Sequence, residues 1–145
     1  METTEKTKAT LVTGVIGDDV HVTGIRVLEH ALRDAGFKVV SLGIQVSQEE
    51  FVKAAIETKA DAILVSSLGG HAKILTEGLK EKCIEAGLKG VHLYIGGMLT
   101  IGDSWEDAEK TFTKMGFDRA YPPFILPGPV IKDLEADLAK KGSEN

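Results

Sequence analysis

A carboxylate and an imidazole stand two residues apart near the start of the chain. Asp19 and His21 follow an apolar segment, and Gly24 comes three residues after the histidine. An imidazole that binds a metal ion usually donates its other ring N–H to an oxygen atom, which fixes its tautomer and raises its basicity. Asp19 and His21 could form such a pair within one loop. We interpret His21 as a candidate metal ligand; a solvated turn is the competing interpretation.

Strand-like and helix-like segments alternate along the whole chain. Runs rich in Val, Ile and Leu predict five strands, at residues 11–17, 37–42, 62–67, 91–95 and 119–121. Apolar residues at helical spacing predict a helix after each strand, at residues 25–35, from 47 onward, 74–86, 104–115 and 130–140. Ser47 and Glu50 have the spacing of a capping box at the start of the second helix.

Three of these helices end on the same pattern, a glycine followed by an apolar residue, at residues 36–37, 87–88 and 116–117. The repetition marks successive strand–helix units, and right-handed crossovers then require a mostly parallel sheet with helices on both faces. We predict an α/β fold, a flavodoxin-like (Rossmann-like) doubly wound sheet of five parallel strands in the order 2-1-3-4-5. Residues 1–145 are expected to form one domain, with 1–8 and 141–145 as flexible tails.

Composition and charge restrict the class of protein. The 145 residues carry a net charge of −5, which argues against a nucleic-acid partner because such proteins need a basic surface. The single cysteine fits a reducing compartment. No apolar run approaches the roughly 18 residues that a membrane-spanning helix requires. We therefore expect a cytoplasmic domain that binds neither nucleic acid nor membrane.

Unusual residues follow the predicted strands at their carboxyl ends, where ligands of open α/β sheets bind. They comprise Ser66 and Leu68 after the third strand, Gly96 and Gly97 after the fourth, and Tyr121 and Pro123 at the end of the fifth. Glycines let a backbone approach a ligand closely, and aromatic rings can cover an apolar one. The loops predict a long groove with His21 at its mouth.

Three motifs stand at the ends of predicted strands: Asp19-x-His21-x-x-Gly24, Ser66-x-Leu68 and Gly96-Gly97. Together they resemble the signature of the cobalamin-binding domain of adenosylcobalamin mutases and methionine synthase. Within that family the sequence resembles the small (sigma) subunit of glutamate mutase from residue 15 through residue 121. It departs from that pattern after Leu68, where the relatives carry a tyrosine and this chain has Gly69.

The resemblance implies a role for each residue. His21 would be the lower axial ligand of cobalt, replacing the cofactor's own dimethylbenzimidazole, and Asp19 would accept its second N–H. Imidazole suits a cobalt ion as a borderline ligand. The part of the cofactor that carries the replaced dimethylbenzimidazole is its nucleotide tail, and the remaining residues would bind it. Gly24 would lie beside it at the first helix, Ser66, Leu68, Gly96 and Gly97 would line the groove, and Tyr121 and Pro123 would close the far end of the groove.

The function implied is that of the cobalamin-binding subunit of glutamate mutase (methylaspartate mutase), an isomerase. With adenosylcobalamin, that enzyme interconverts L-glutamate and L-threo-3-methylaspartate by a radical carbon-skeleton rearrangement. The resemblance implies a larger barrel-type catalytic subunit that holds the substrate, in a heterotetramer of two small and two large subunits. The chain alone is then expected to bind cofactor and to catalyse nothing.

Other functions remain as alternatives. The first is a corrinoid methyl carrier, or the small subunit of another adenosylcobalamin mutase; such carriers usually have a helical cap before the sheet, and too few residues precede the first strand. A phosphorylation receiver needs an aspartate where this chain has Ser66-Ser67. A flavodoxin needs a phosphate loop after the first strand, where Asp18 and Asp19 would repel the phosphate.

Overall fold

Five strands and six helices form the part of the chain that the computed structural model describes, residues 8–17, 23–69, 71–88, 90–99 and 104–143. The strands are β1 (Thr10–Val15), β2 (Lys38–Ser41), β3 (Ala62–Ser67), β4 (His92–Gly97) and β5 (Arg119–Tyr121). The helices are α1 (Thr23–Asp34), α2 (Gln48–Thr58), α3 (Ala72–Thr76), α4 (Leu79–Glu85), α5 (Trp105–Lys114) and α6 (Pro127–Ser143). Of the expected tails, residues 1–7 and 144–145 lie outside the described residues, and α6 includes 141–143.

The strands form one parallel sheet in the order β2-β1-β3-β4-β5, which confirms the predicted topology. Two buried clusters cover its faces. The first joins Val12, Ile63 and Ile95 to side chains of α2, α4 and α5. The second joins Leu11, Leu64 and Tyr94 to Leu32 of α1 and to Val130 and Leu134 of α6. Because β1 and β3 are covered on both sides, all but one of the residues in each strand are buried.

The predicted capping box is present at the start of α2. The Ser47 hydroxyl accepts a hydrogen bond from the Glu50 N–H, and the Glu50 carboxylate accepts one from the Ser47 N–H. The predicted helix ends are present as well. The N–H groups of Phe37, Leu88 and Phe117 donate to carbonyls five residues earlier, at 3.1, 2.8 and 3.1 Å. These bonds close the last turn of each helix and direct the chain into the next strand.

Some predicted boundaries are wrong. The single helix expected at residues 74–86 is two helices, α3 and α4, because Glu77 is extended and Gly78 is left-handed, with a φ of +86°. The last helix begins at Pro127 rather than residue 130, since proline is well accommodated in the first helical turn. Strand β4 runs two residues further than expected and includes Gly96 and Gly97. None of the described helices is both long and apolar enough to cross a membrane.

Candidate functional site

A cavity of about 600 Å³ lies at the carboxyl edge of the sheet, on the face that α1 and α6 cover. Strands β3 and β4 form its floor, α1 forms one wall, and the segment between β5 and α6 forms the other. Seven of the nine candidate residues are described by the structure, and all seven line this cavity: Gly24, Ser66, Leu68, Gly96, Gly97, Tyr121 and Pro123. Residues from four separate parts of the sequence therefore meet at one place.

The two remaining candidates, Asp19 and His21, lie outside the described residues. In the sequence they stand between Gly17, which follows β1, and Thr23, where α1 begins. Within the described ranges, no group of three or more His, Cys, Asp or Glu side chains could hold a metal ion. His21 as a metal ligand therefore stays a prediction from the sequence.

The floor of the cavity is a row of paired residues across three strands. Ser66 pairs with Gly96, and Gly96 pairs with Tyr121. A Cβ atom at Gly96 would lie 3.7 Å from the Tyr121 Cβ, which is ordinary van der Waals contact. The missing side chain at Gly96 therefore leaves open space between a hydroxyl on one side and an aromatic ring on the other.

Gly97 has a different role, because its backbone leaves no room for a side chain. Its φ is +124°, and a Cβ there would lie 2.8 Å from the carbonyl carbon of Ser67 and closer still to its oxygen. The same oxygen accepts a hydrogen bond of 2.8 Å from the Met98 N–H. Glycine at 97 thus lets β4 end tightly against β3, which keeps the floor of the cavity continuous.

Two tyrosines line the cavity, while their hydroxyls are bonded to α6. Tyr94 and Tyr121 pack with ring centroids 5.9 Å apart. The Tyr121 hydroxyl donates to Asp133 at 2.7 Å, and the Tyr94 hydroxyl donates to Asp137. Burial, and then the hydrogen bond to a carboxylate, raises the pKa of both phenols. Both hydroxyls stay protonated and engaged with α6, so these side chains contribute mainly apolar ring surface to the cavity.

Arg119 connects the same two carboxylates of α6 to the sheet. Its guanidinium donates two hydrogen bonds of 2.9 Å to Asp137, and it lies 3.5 Å from an oxygen of Asp133. The hydrogen bond from Arg119 is the main cause that lowers the pKa of Asp137 to about 2. These bonds hold the middle of α6, and with it the far wall of the cavity, against β4 and β5.

The segment between β5 and α6 places apolar side chains at the mouth of the cavity. It contains Pro122 and Pro123, and the other two prolines of the chain, Pro127 and Pro129, lie in the first turn of α6. Phe124 lines the cavity yet is 92% exposed, and its φ of +64° is strained for a bulky side chain. Leu126 is also exposed. An apolar ligand or partner surface at this mouth would remove both side chains from water.

Sequence reasoning missed Leu64 and Tyr94, which also line the cavity. A signal for both was available. Each stands two residues before a candidate on the same strand, Leu64 before Ser66 and Tyr94 before Gly96, and alternate residues of a strand share a face. Ile25 and Leu28 of α1 line the cavity as well.

A sequence model of the B12-binding domain family matches residues 9–118. The glutamate mutase sigma subunit of Carboxydothermus hydrogenoformans is 58% identical over 88% of this chain and 94% of its own length. The chain belongs to the B12-binding domain family, and within it to the glutamate mutase sigma subunits. The sigma subunit of Clostridium tetanomorphum is 52% identical over 90% of this chain and 96% of its own length.

Comparison of structures leads to the same family of folds. A chain of the methanol:cobalamin methyltransferase complex from Methanosarcina barkeri superposes with a TM-score of 0.73 at 26% identity. The match covers 92% of this chain and 48% of that one. This likeness agrees with the match to the B12-binding domain family, so cobalamin is the ligand for which the cavity must be tested.

Gly96 and Gly97 form a matched pair for that test. We expect Gly96→Ala to keep the free energy of unfolding within about 1 kcal/mol, because its methyl group meets only ordinary contacts. Its cobalamin affinity should fall about tenfold, since the methyl group narrows the cavity.

Gly97→Ala should lower the free energy of unfolding by about 3 kcal/mol or more, because left-handed strain adds to the clash with Ser67. Urea unfolding and cobalamin titration measure both; equal behaviour of the two variants would contradict this account.

The bond between Arg119 and Asp137 predicts a pH dependence. Asp137 has a pKa of about 2 in the folded state against an ordinary 3.8, so its ionised form stabilises the fold above pH 3.8. That contribution is lost as the pH falls from 3.8 towards 2. We expect Asp137→Asn to be less stable than the unaltered chain at neutral pH, by a margin that shrinks over this interval. Urea unfolding as a function of pH measures the difference in free energy of unfolding between the two proteins. A difference that stays constant down to pH 2 would refute the lowered pKa of Asp137.

Proposed function

We propose that this chain is the cobalamin-binding subunit of an adenosylcobalamin-dependent glutamate mutase. In this proposal it works with a larger catalytic subunit to interconvert L-glutamate and L-threo-3-methylaspartate. The observation that carries the proposal is the cavity itself: every described member of the predicted cobalamin signature lines it, in a chain 58% identical to a glutamate mutase sigma subunit.

The described residues fit the nucleotide tail of a cobalamin. The cavity has a volume of about 600 Å³, and its walls are mostly aliphatic side chains, proline rings and tyrosine rings. The Ser66 hydroxyl adds a polar group to the floor, where it can bond a nitrogen atom of the lower base. Gly24 and Gly96 add no side chain that would occupy the space.

His21 would bind the cobalt ion of the cofactor, and Asp19 would accept the N–H of its other ring nitrogen. That hydrogen bond fixes the tautomer in which the ligating nitrogen carries a lone pair, and it raises that nitrogen's basicity. The bound cofactor supplies a radical through homolysis of its cobalt–carbon bond. The chain's own part is to bind the cofactor, to orient it and to keep water from its tail.

The substrate would bind elsewhere, in the larger subunit. Glutamate and 3-methylaspartate each carry two carboxylates, which proteins bind with Arg, Lys or backbone N–H groups. The described residues that line the cavity include no Asp, Glu, Lys, Arg or His. The proposal therefore assigns substrate binding to the partner, in an assembly of two small and two large subunits, and it expects the chain alone to be inactive. Exposed Phe124 and Leu126 at the cavity mouth support a covering partner.

A corrinoid methyl carrier is the second candidate, because the Methanosarcina barkeri methyltransferase complex contains a chain with this fold. Its identity to this chain is 26%, against 58% for the sigma subunit of Carboxydothermus hydrogenoformans. The sequence relationship therefore favours the mutase.

Reconstitution tests the proposal. The purified chain, the large subunit of a glutamate mutase and adenosylcobalamin should together convert L-glutamate to 3-methylaspartate, and leaving out any one of them should abolish product. His21→Ala should lower activity at subsaturating cofactor by about 100-fold or more, because loss of an outer-shell partner of a metal ligand already costs about 10- to 100-fold.

His30→Ala is the matched control for that variant. His30 lies on α1 with its side chain exposed, 3.4 Å from Asp34, and should leave activity unchanged. No product from the complete mixture, together with methyl transfer from methylcobalamin bound to the chain, would establish the carrier instead.

A further inference from the structure

Glu29 is a buried carboxylate in the middle of α1. Its side chain lies between that helix and the sheet, and the residue is only 5% exposed. The hydroxyl of Thr13, a fully buried residue of β1, donates a hydrogen bond of 2.5 Å to Glu29 Oε2. The bond therefore connects the helix directly to an inner strand of the sheet.

Packing alone does not explain a glutamate at this position. Ile25, Leu28 and Leu32 form the apolar stripe of α1, and residue 29 falls within that stripe at helical spacing. A leucine there would bury more apolar surface, whereas a carboxylate loses its hydration on burial. A buried polar pair can be replaced by apolar residues of similar shape with little loss of stability and often with a gain.

The position of Glu29 suggests what the pair does. Gly24, Ile25 and Leu28 of α1 line the cavity, and Glu29 follows Leu28 directly. On the sheet, Thr13 pairs with Leu64 of β3, which lines the same cavity. The hydrogen bond thus connects the wall of the cavity to the strand beside its floor. Apolar contacts permit a helix to rotate or slide, whereas a hydrogen bond has a preferred length and direction.

We propose that Glu29 is a positioning residue. Its hydrogen bond from Thr13 sets how α1 is rotated about its own axis and how far it slides along the sheet, and thereby sets the width of the cobalamin cavity. The inference rests on the proposed function, because it assigns the cavity to cobalamin. Its consequence is a separation of stability from binding: the bond adds cofactor affinity beyond what it adds to the stability of the fold.

Three variants separate these effects. Thr13→Val with Glu29→Leu replaces both partners by apolar groups, so its melting temperature should equal or exceed that of the unaltered chain. Its Kd for adenosylcobalamin should rise about tenfold, equivalent to about 1.4 kcal/mol. Glu29→Gln is the matched control: its side-chain carbonyl can accept the same hydrogen bond, so its Kd should stay within about twofold. Thr13→Val alone, which keeps the shape of threonine, should also weaken binding and serves if the double variant fails to fold.

The outcomes are distinguishable. A stable double variant that binds adenosylcobalamin as tightly as the unaltered chain would overturn the inference and leave the proposed function intact. A Kd for Glu29→Gln as weak as that of the double variant would also overturn it, because the hydrogen bond would then not be what matters. Failure of the unaltered chain to bind adenosylcobalamin would overturn the proposed function and the inference together.

Discussion

The tight pairing of β3 and β4 at their carboxyl ends is the constraint on which the site depends. The Ser67 carbonyl occupies the space that a side chain at residue 97 would need, and it also accepts a hydrogen bond from the Met98 N–H. Ser66 and Gly96, one residue earlier, are consequently held side by side. The continuous floor of the cavity follows from this contact, and the missing side chain at Gly96 leaves the space beside Ser66 and Tyr121 open.

Hydrogen bonds and ion pairs hold the helices in place around that floor, whereas the side chains that line the cavity are mainly apolar. Asp133 and Asp137 of α6 bind Arg119 and both tyrosine hydroxyls on the side away from the cavity mouth. Glu29 binds Thr13 beneath α1. Each bond attaches one wall of the cavity to a strand. This division suits a large cofactor tail, since preformed walls reduce the conformational entropy lost on binding.

The fold and most of the candidate site could be predicted because their signals are local. Alternating strand and helix patterns predict a parallel doubly wound sheet, for which 2-1-3-4-5 is a common strand order, and strand ends bring Ser66, Gly96 and Tyr121 to one edge. The buried hydrogen bond between Glu29 and Thr13 was not predicted, because a charged residue within an apolar stripe can equally indicate a frayed or rotated helix. The break at Gly78 was missed because glycine within a helical pattern does not by itself end a helix.

Whether His21 binds cobalt is the central claim, and electron paramagnetic resonance of cob(II)alamin tests it most directly. The chain is labelled with 15N-histidine and mixed with unlabelled cob(II)alamin, so that a histidine ligand and the cofactor's own base carry different nitrogen isotopes. A bond between His21 and cobalt gives superhyperfine doublets from one 15N nucleus, and these disappear in His21→Ala. Triplets from 14N in the labelled chain would show that the benzimidazole remains on the cobalt, and would contradict the account.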